Sequence, residues 1–286
     1  MSNESTNRYP PSVDKLLAYG DARNFRQWPH YLQLGLGAEH VPDLIRMATD
    51  DDLLRADSDS LEVWAPIHAW RALGQLRAEA AIEPLLTLLH RIDDNDDDWV
   101  GEELPRVYGM IGPAALPALA AYLADSAHDL FARIAAAHSL EQVSRLHSNA
   151  RDECVSVLTR QLERFAENDP TINGFLISYL LDLNAVEAAP LIERAFKADR
   201  VDLTVAGDWE DTQVEFGLKP ARETPRSNYL LESMPRLAPA SGPVVSVVDK
   251  QETAHLQRLD RQADKKVKAK RKQAEKARKK NRKKRR

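Results

Sequence analysis

Four stretches of this chain echo one another, and the echo limits the fold more than any other feature. YLQLGLGAEHVPDLIRMATD covers 31–50, WRALGQLRAEAAIEPLLTLLH covers 70–90, VYGMIGPAALPALAAYLAD covers 107–125 and YLLDLNAVEAAPLIERAFKAD covers 179–199. Each reads as an apolar helix end, a short link of small residues, then proline and a second apolar run. The prolines are Pro42, Pro84, Pro117 and Pro190. CVSVLTRQLERF fills the long last interval and places an equivalent start near Val155, so the steps are 42, 33, 38 and 35 residues. A period of this size marks a supersecondary unit that stacks on its neighbours because it cannot bury its apolar faces alone.

The residue types fit that reading. Proline is tolerated in the first turn of a helix, where its missing N–H has no intrahelical partner to lose. Gly35, Gly74 and Gly109 fall where a first helix is expected to end and the chain to reverse. Ile82, Leu85, Leu86, Leu89 and Ile92 follow helical spacing, as do Val100, Leu104, Val107, Tyr108 and Ile111. No window shows sustained strand alternation. The expected fold class is all-α: an α-solenoid of about five helical hairpins, with a non-repeat C-terminal cap, a Pro-rich linker and a basic helical or disordered tail.

Ala72-Leu73-Gly74 through Pro84-Leu85-Leu86, and Gly109 through Pro117-Ala118-Leu119, resemble the HEAT-repeat family, in particular its short bacterial branch, the phycobilisome-lyase-like HEAT repeats. The resemblance covers roughly 28–200. It implies stacked helical hairpins and, in that branch, attachment or removal of bilin chromophores. The segment 129–165 departs from the pattern, since it lacks both the glycine and the proline. The resulting organisation is an N-terminal extension and first helix at 1–27, HEAT-like repeats at 28–200, a cap at 201–218, a Pro-rich linker at 219–250 and a basic tail at 251–286. In the cap, Trp209, Val214, Phe216 and Leu218 are expected to cover the last hairpin. Asp208, Trp209, Glu210 and Asp211 are its candidate partner-binding residues.

The chain has 40 Lys+Arg and 44 Asp+Glu, a net charge of −4. That figure hides a partition. Residues 251–286 hold 17 basic and four acidic residues, leaving 23 basic and 40 acidic in the first 250, so the body carries −17 and the tail +13. The candidate polyanion-binding residues are Lys265, Lys266, Lys268, Lys270, Arg271, Lys272, Lys276, Arg278, Lys279, Lys280, Arg282, Lys283, Lys284, Arg285 and Arg286. Such a cluster binds polyanions by counterion release, without sequence preference, and RNA is the expected polyanion. The tail has few aromatics, so base stacking is not expected.

Enzyme motifs do not emerge. There is no Walker loop, no G-x-G-x-x-G, no G-x-S-x-G and no H-E-x-x-H. The iron-binding HEAT-repeat enzymes, the deoxyhypusine hydroxylases, rely on His-Glu dipeptides, and this chain has only the reversed Glu39-His40. DDNDDDW at 93–99 lacks the turn glycine of a calcium loop and reads as an acidic loop, with Asp98 capping a helix that begins at Trp99. His68 and His138 lie in apolar helices and read as packed core residues. The lone Cys154 reads as a small packing residue and leaves no intramolecular disulfide. Trp64, Trp70 and Trp99 read as first-helix packing. No signal peptide or 18-residue apolar run is present, so a cytoplasmic protein of bacterial type is expected.

Together these features point to a non-enzymatic scaffold or adaptor. Its acidic body would bind an unidentified protein partner and its tail a polyanion. No catalytic, metal or cofactor residues are assigned. The alternatives are a bilin lyase-like or other enzyme subunit, and a charge-gated switch with the tail docked on the acidic body.

Overall fold

The computed structural model describes residues 8–225, apart from Arg26 and Ser58. The chain divides into two units, Met1–Met234 and Pro235–Arg286, and every described residue lies in the first. The basic tail, YLLESM and PVVSVV fall outside the described residues. Every regular element among the described residues is helical, so the protein is all-α.

In chain order the α-helices are α1 Pro11–Asp14, α2 Val41–Ala48, α3 Asp51–Leu54, α4 Ala65–Gln75, α5 Ile82–Leu86, α6 Arg91–Asn95, α7 Asp98–Ile111, α8 Leu116–Ala124, α9 Leu130–Leu146, α10 Arg151–Leu162, α11 Pro170–Asp182, α12 Ala189–Lys197, α13 Leu203–Ala206 and α14 Trp209–Glu215. A short 3₁₀ turn leads directly into six of them: Glu62–Trp64 precedes α4, and the other five precede the second helices of the expected hairpins. Ala38–His40 precedes α2, Glu79–Ala81 α5, Pro113–Ala115 α8, Ser148–Ala150 α10 and Val186–Ala188 α12. These turns with their helices are the physical form of the sequence echo. Proline sits in the first turn of α2, α5, α8 and α12. In α10 the corresponding residue is Asp152, so the unit without proline starts at Arg151, before the expected Val155.

Two rows of helices result. α4, α7, α9, α11 and α13 touch in succession, as do α2, α5, α8 and α10. The rows meet through α2 on α4, α8 on α9, and α10 on both α9 and α11. The buried apolar residues form one cluster from Tyr9 to Phe216. α4 is buried on all sides, from Ala65 to Gly74, which makes it a core helix rather than an amphipathic surface one.

Two of the three glycines expected to end helices do something else. Gly35 does close its turn, at φ 81°. Gly74 and Gly109 lie inside α4 and α7, where neighbouring helices approach closely. A Cβ on Gly109 would stand 3.0 Å from the Gln142 Cβ and 3.1 Å from its carbonyl oxygen, on α9. A Cβ on Gly74 would meet Met110 Sδ at 3.3 Å, on α7. The left-handed residue that follows α4 is Arg77, φ 51°, and Gly112, φ 97°, follows α7.

The acidic run 93–99 is also corrected. Asp93 to Asn95 belong to α6, and Asp97, not Asp98, caps α7 by accepting from Val100 N at 3.4 Å. Asp93 reaches across to the next unit and accepts from Phe131 N at 3.1 Å and Ala132 N at 2.9 Å, capping α9 from a different helix. In the cap, α13 packs on α11 and α14 on α12. Phe216 is buried and Trp209 lies half-buried against Phe196, but Leu218 is 51 % exposed and covers nothing.

Among the described residues no single helix is long and apolar enough to cross a membrane. α7 and the following run Pro113–Ala124 pass that test only together, and they are bent by 114°.

Candidate functional site

A buried polar network joins α4 and α7. Arg71 and Glu103 are 2 % and 6 % exposed. The Arg71 fork grips the Glu103 carboxylate, with Nε donating to Oε2 at 2.8 Å and Nη2 to Oε1. Trp70 Nε1 donates to the same Oε2 at 3.1 Å. Such two-pronged pairing is the geometry in which arginine and carboxylate bind most strongly. The guanidinium also lies 5.3 Å from the Trp28 ring and 5.8 Å from the Trp99 ring. Trp28 is faced a second time by Arg106, at 4.3 Å.

Tyr31 and His68 extend the network. The Tyr31 hydroxyl lies 2.7 Å from His68 Nδ1, and His68 Nε2 lies 2.9 Å from the Gly20 carbonyl oxygen. A carbonyl only accepts, so Nε2 carries the proton and Nδ1 accepts from Tyr31. Burial pushes His68 down to about 4 and Tyr31 up to about 12. His68 is therefore a neutral core histidine, as the sequence suggested. Its role is to tie the N-terminal segment to α4.

A second cluster lies at the C-terminal end of the body. Asp208 and Asp211 form a capping box on α14: Asp211 N donates to Asp208 Oδ1 at 2.9 Å, and Asp208 N donates to Asp211 Oδ2 at 3.2 Å. Gly207 precedes them at φ 70°, and a Cβ there would stand 2.6 Å from Asp211 Oδ2. The two carboxylates are thus fixed before they meet any partner. Arg222 Nη1 and Nη2 donate to Asp208 at 2.7 and 2.8 Å, and Nη1 stands 2.7 Å from Asp211 Oδ1. Glu210 accepts from Lys219 Nζ at 2.7 Å, Glu223 N at 2.8 Å, Thr224 N at 3.1 Å and the Thr224 hydroxyl. The Lys219 hydrogen bond, with those of 223–224, holds the Glu210 carboxyl at about 2.

Three of the four candidate partner-binding residues, Asp208, Glu210 and Asp211, therefore hold the chain's own segment 219–224. The fourth, Trp209, packs half-buried on the cap. Beside this clamp a groove of about 270 Å³ runs between α11 and α14. Its walls include Ser178, Leu181, Asp182, Val214, Glu215 and Arg222. The candidate polyanion-binding residues of 265–286 lie outside the described residues.

The other singled-out residues are packed. Cys154 is fully buried, and burial raises its thiol to about 11, so it is a poor nucleophile. His138 stacks on Tyr179 at 5.4 Å, beside the buried Glu141 and its partner Arg145. Burial holds the Glu141 carboxyl above its ordinary range. Trp70 is buried, while Trp64 and Trp99 meet edge to face at 5.6 Å. Among the described residues no group of three or more His, Cys, Asp or Glu side chains converges as a metal site would. Nothing in the sequence marks Glu103 as the partner of Arg71, because Glu102-Glu103 is one acidic dipeptide among several. The available signal was His68 and Arg71 standing inside the otherwise apolar run APIHAWRALG.

No curated protein and no solved structure matches the chain. A family model matches residues 41–223, more than half of the chain, from α2 to the segment held by the carboxylate clamp, and the chain belongs to that family, described as a protein of unknown function, DUF1186.

Proposed function

We propose that this protein is a non-enzymatic adaptor in which an acidic body of HEAT-like hairpins, stacked as an α-solenoid, binds a protein partner while the basic tail anchors a polyanion, with RNA the expected one. The observation that carries the reading is the partition of charge, −17 over the first 250 residues against +13 over the last 36. A tail carrying a net +13 over 36 residues binds phosphates through counterion release. The five repeated 3₁₀-turn–helix units and the two rows of successive helix contacts support the solenoid reading. The α14 carboxylates, which hold a lysine and an arginine from an adjoining segment, illustrate how the acidic body can grip a basic chain.

The test is RNA binding by the full-length protein and by a chain ending at Gln251, each titrated with salt. The full-length protein should bind, with log K falling by about 0.7 per contacted phosphate for each unit of log salt on single strands. The shortened chain should not bind. Equal binding by both, or a salt-independent affinity, refutes the tail as the anchor.

A further inference from the structure

The segment Lys219–Thr224 is held in an unusual way for a chain that follows a packed helix. Its contribution to the body is polar throughout. Lys219 and Arg222 are half-buried, while Pro220, Ala221, Glu223 and Thr224 are exposed. No side chain of the segment joins the buried apolar cluster. The helix before it closes normally, with Leu218 N and Lys219 N both donating to the Gln213 carbonyl oxygen at 2.8 and 3.1 Å. Beyond that point the contacts tying the segment to α14 run to three carboxylates, and Glu210 takes two of them from backbone amides rather than from side chains.

Apolar anchoring survives salt, whereas ion pairs that solvent can reach weaken as the screening length falls from about 10 Å at 0.1 M to about 3 Å at 1 M; the clamp side chains keep 11 to 26 % of their surface exposed, so salt weakens them in part. The segment is also a wall of the α11–α14 groove, because Arg222 lines it together with Asp182, Asp211 and Glu215. Detaching the segment removes the one cation from that set of lining residues and leaves three carboxylates beside Leu181, Ala206 and Val214.

We propose that Lys219–Thr224 is a charge-held strap, an autoinhibitory contact that occupies the α14 carboxylates in cis beside the α11–α14 groove and gives way when a competing cationic segment takes them. The competitor is the basic stretch of the protein partner invoked above, so this step rests on that reading. The strap cations follow their carboxylates by 9 residues for Lys219–Glu210 and 14 for Arg222–Asp208, and the resulting high effective concentration means that a competitor must be multiply charged or locally concentrated.

Hydrogen exchange at the Glu223 and Thr224 amides reads the strap directly, in the full-length protein, with the buried amides of α9 as the internal reference. At low salt these two amides should exchange about tenfold more slowly in the wild type than in Glu210→Gln or Arg222→Ala. Raising salt to 1 M should move the wild type toward the variants' rate while α9 is unchanged. A synthetic peptide of residues 217–225 at millimolar concentration should accelerate the same two amides in the wild type. The same peptide with Lys219 and Arg222 replaced by alanine should not. Amides that exchange alike in wild type and both variants, or whose protection 1 M salt leaves unchanged, overturn the strap. Amides that respond to salt but not to the cationic peptide overturn its displacement by a partner. Neither result bears on tail-dependent RNA binding, so the two ideas fail separately.

Discussion

Replacing Glu103 with alanine is expected to be among the most damaging single changes in the body. The Arg71 guanidinium it leaves behind is attached to a side chain only 2 % exposed, with no second carboxylate paired to it among the described residues, and Trp70 Nε1 loses its acceptor too. Breaking one side of a buried pair costs roughly 3–5 kcal/mol, because an uncompensated charge stays buried. Domains of this size are stable by only about 5–15 kcal/mol, so the variant should lose a large share of its stability. Glu103→Gln keeps the shape and one acceptor oxygen and should cost less. Arg71→Met combined with Glu103→Leu removes the charge problem altogether. It should lie near the wild type or above it, because exchanging a whole buried pair for apolar residues is often neutral or stabilising. The assay is urea unfolding followed by circular dichroism, with the m-value checked for constancy, on the wild type, both singles and the double. Glu103→Ala within about 1 kcal/mol of wild type, or a double variant as unstable as the worse single, would refute the argument that this pair is a desolvated, mutually dependent unit.

His68 makes stability depend on pH. Its folded value of about 4 lies below an unfolded value of 6.5, so its contribution is complete above 6.5 and is lost as pH falls toward 4. The loss is about 3 kcal/mol in full. Urea midpoints at pH 7.5 and 4.5 should differ less in His68→Gln than in wild type. Gly109→Ala should destabilise by about 1–3 kcal/mol, since its Cβ meets the Gln142 backbone. Gly74→Ala should be near neutral, since the flexible Met110 can move and alanine favours helix; paired thermal melts decide the order. Asp93→Ala should cost about 0.5–2 kcal/mol by uncapping α9, against less than about 0.5 kcal/mol for Asp98→Ala, as read from the same denaturation series.

The sequence by itself determined the helical class and, through proline, where α2, α5, α8 and α12 begin. Those are local matters: proline in a first turn, and apolar residues at i, i+3, i+4 and i+7. It also determined the charge partition, which needs no structure at all. Tertiary structure decided what the shared residue types were for. Gly74 and Gly109 look like helix-ending glycines in one dimension, but their helices run on to Gln75 and Ile111 and their missing side chains admit a neighbouring helix. Asp93 looks like one more acid in a solvated loop, yet it caps a helix some forty residues later. Arg71 and Glu103 sit 32 positions apart, and Arg222 lies 14 positions beyond Asp208. Periodicity is a property of neighbours within a helix. Which carboxylate meets which cation depends on how the helices stack, and a single sequence does not carry that information.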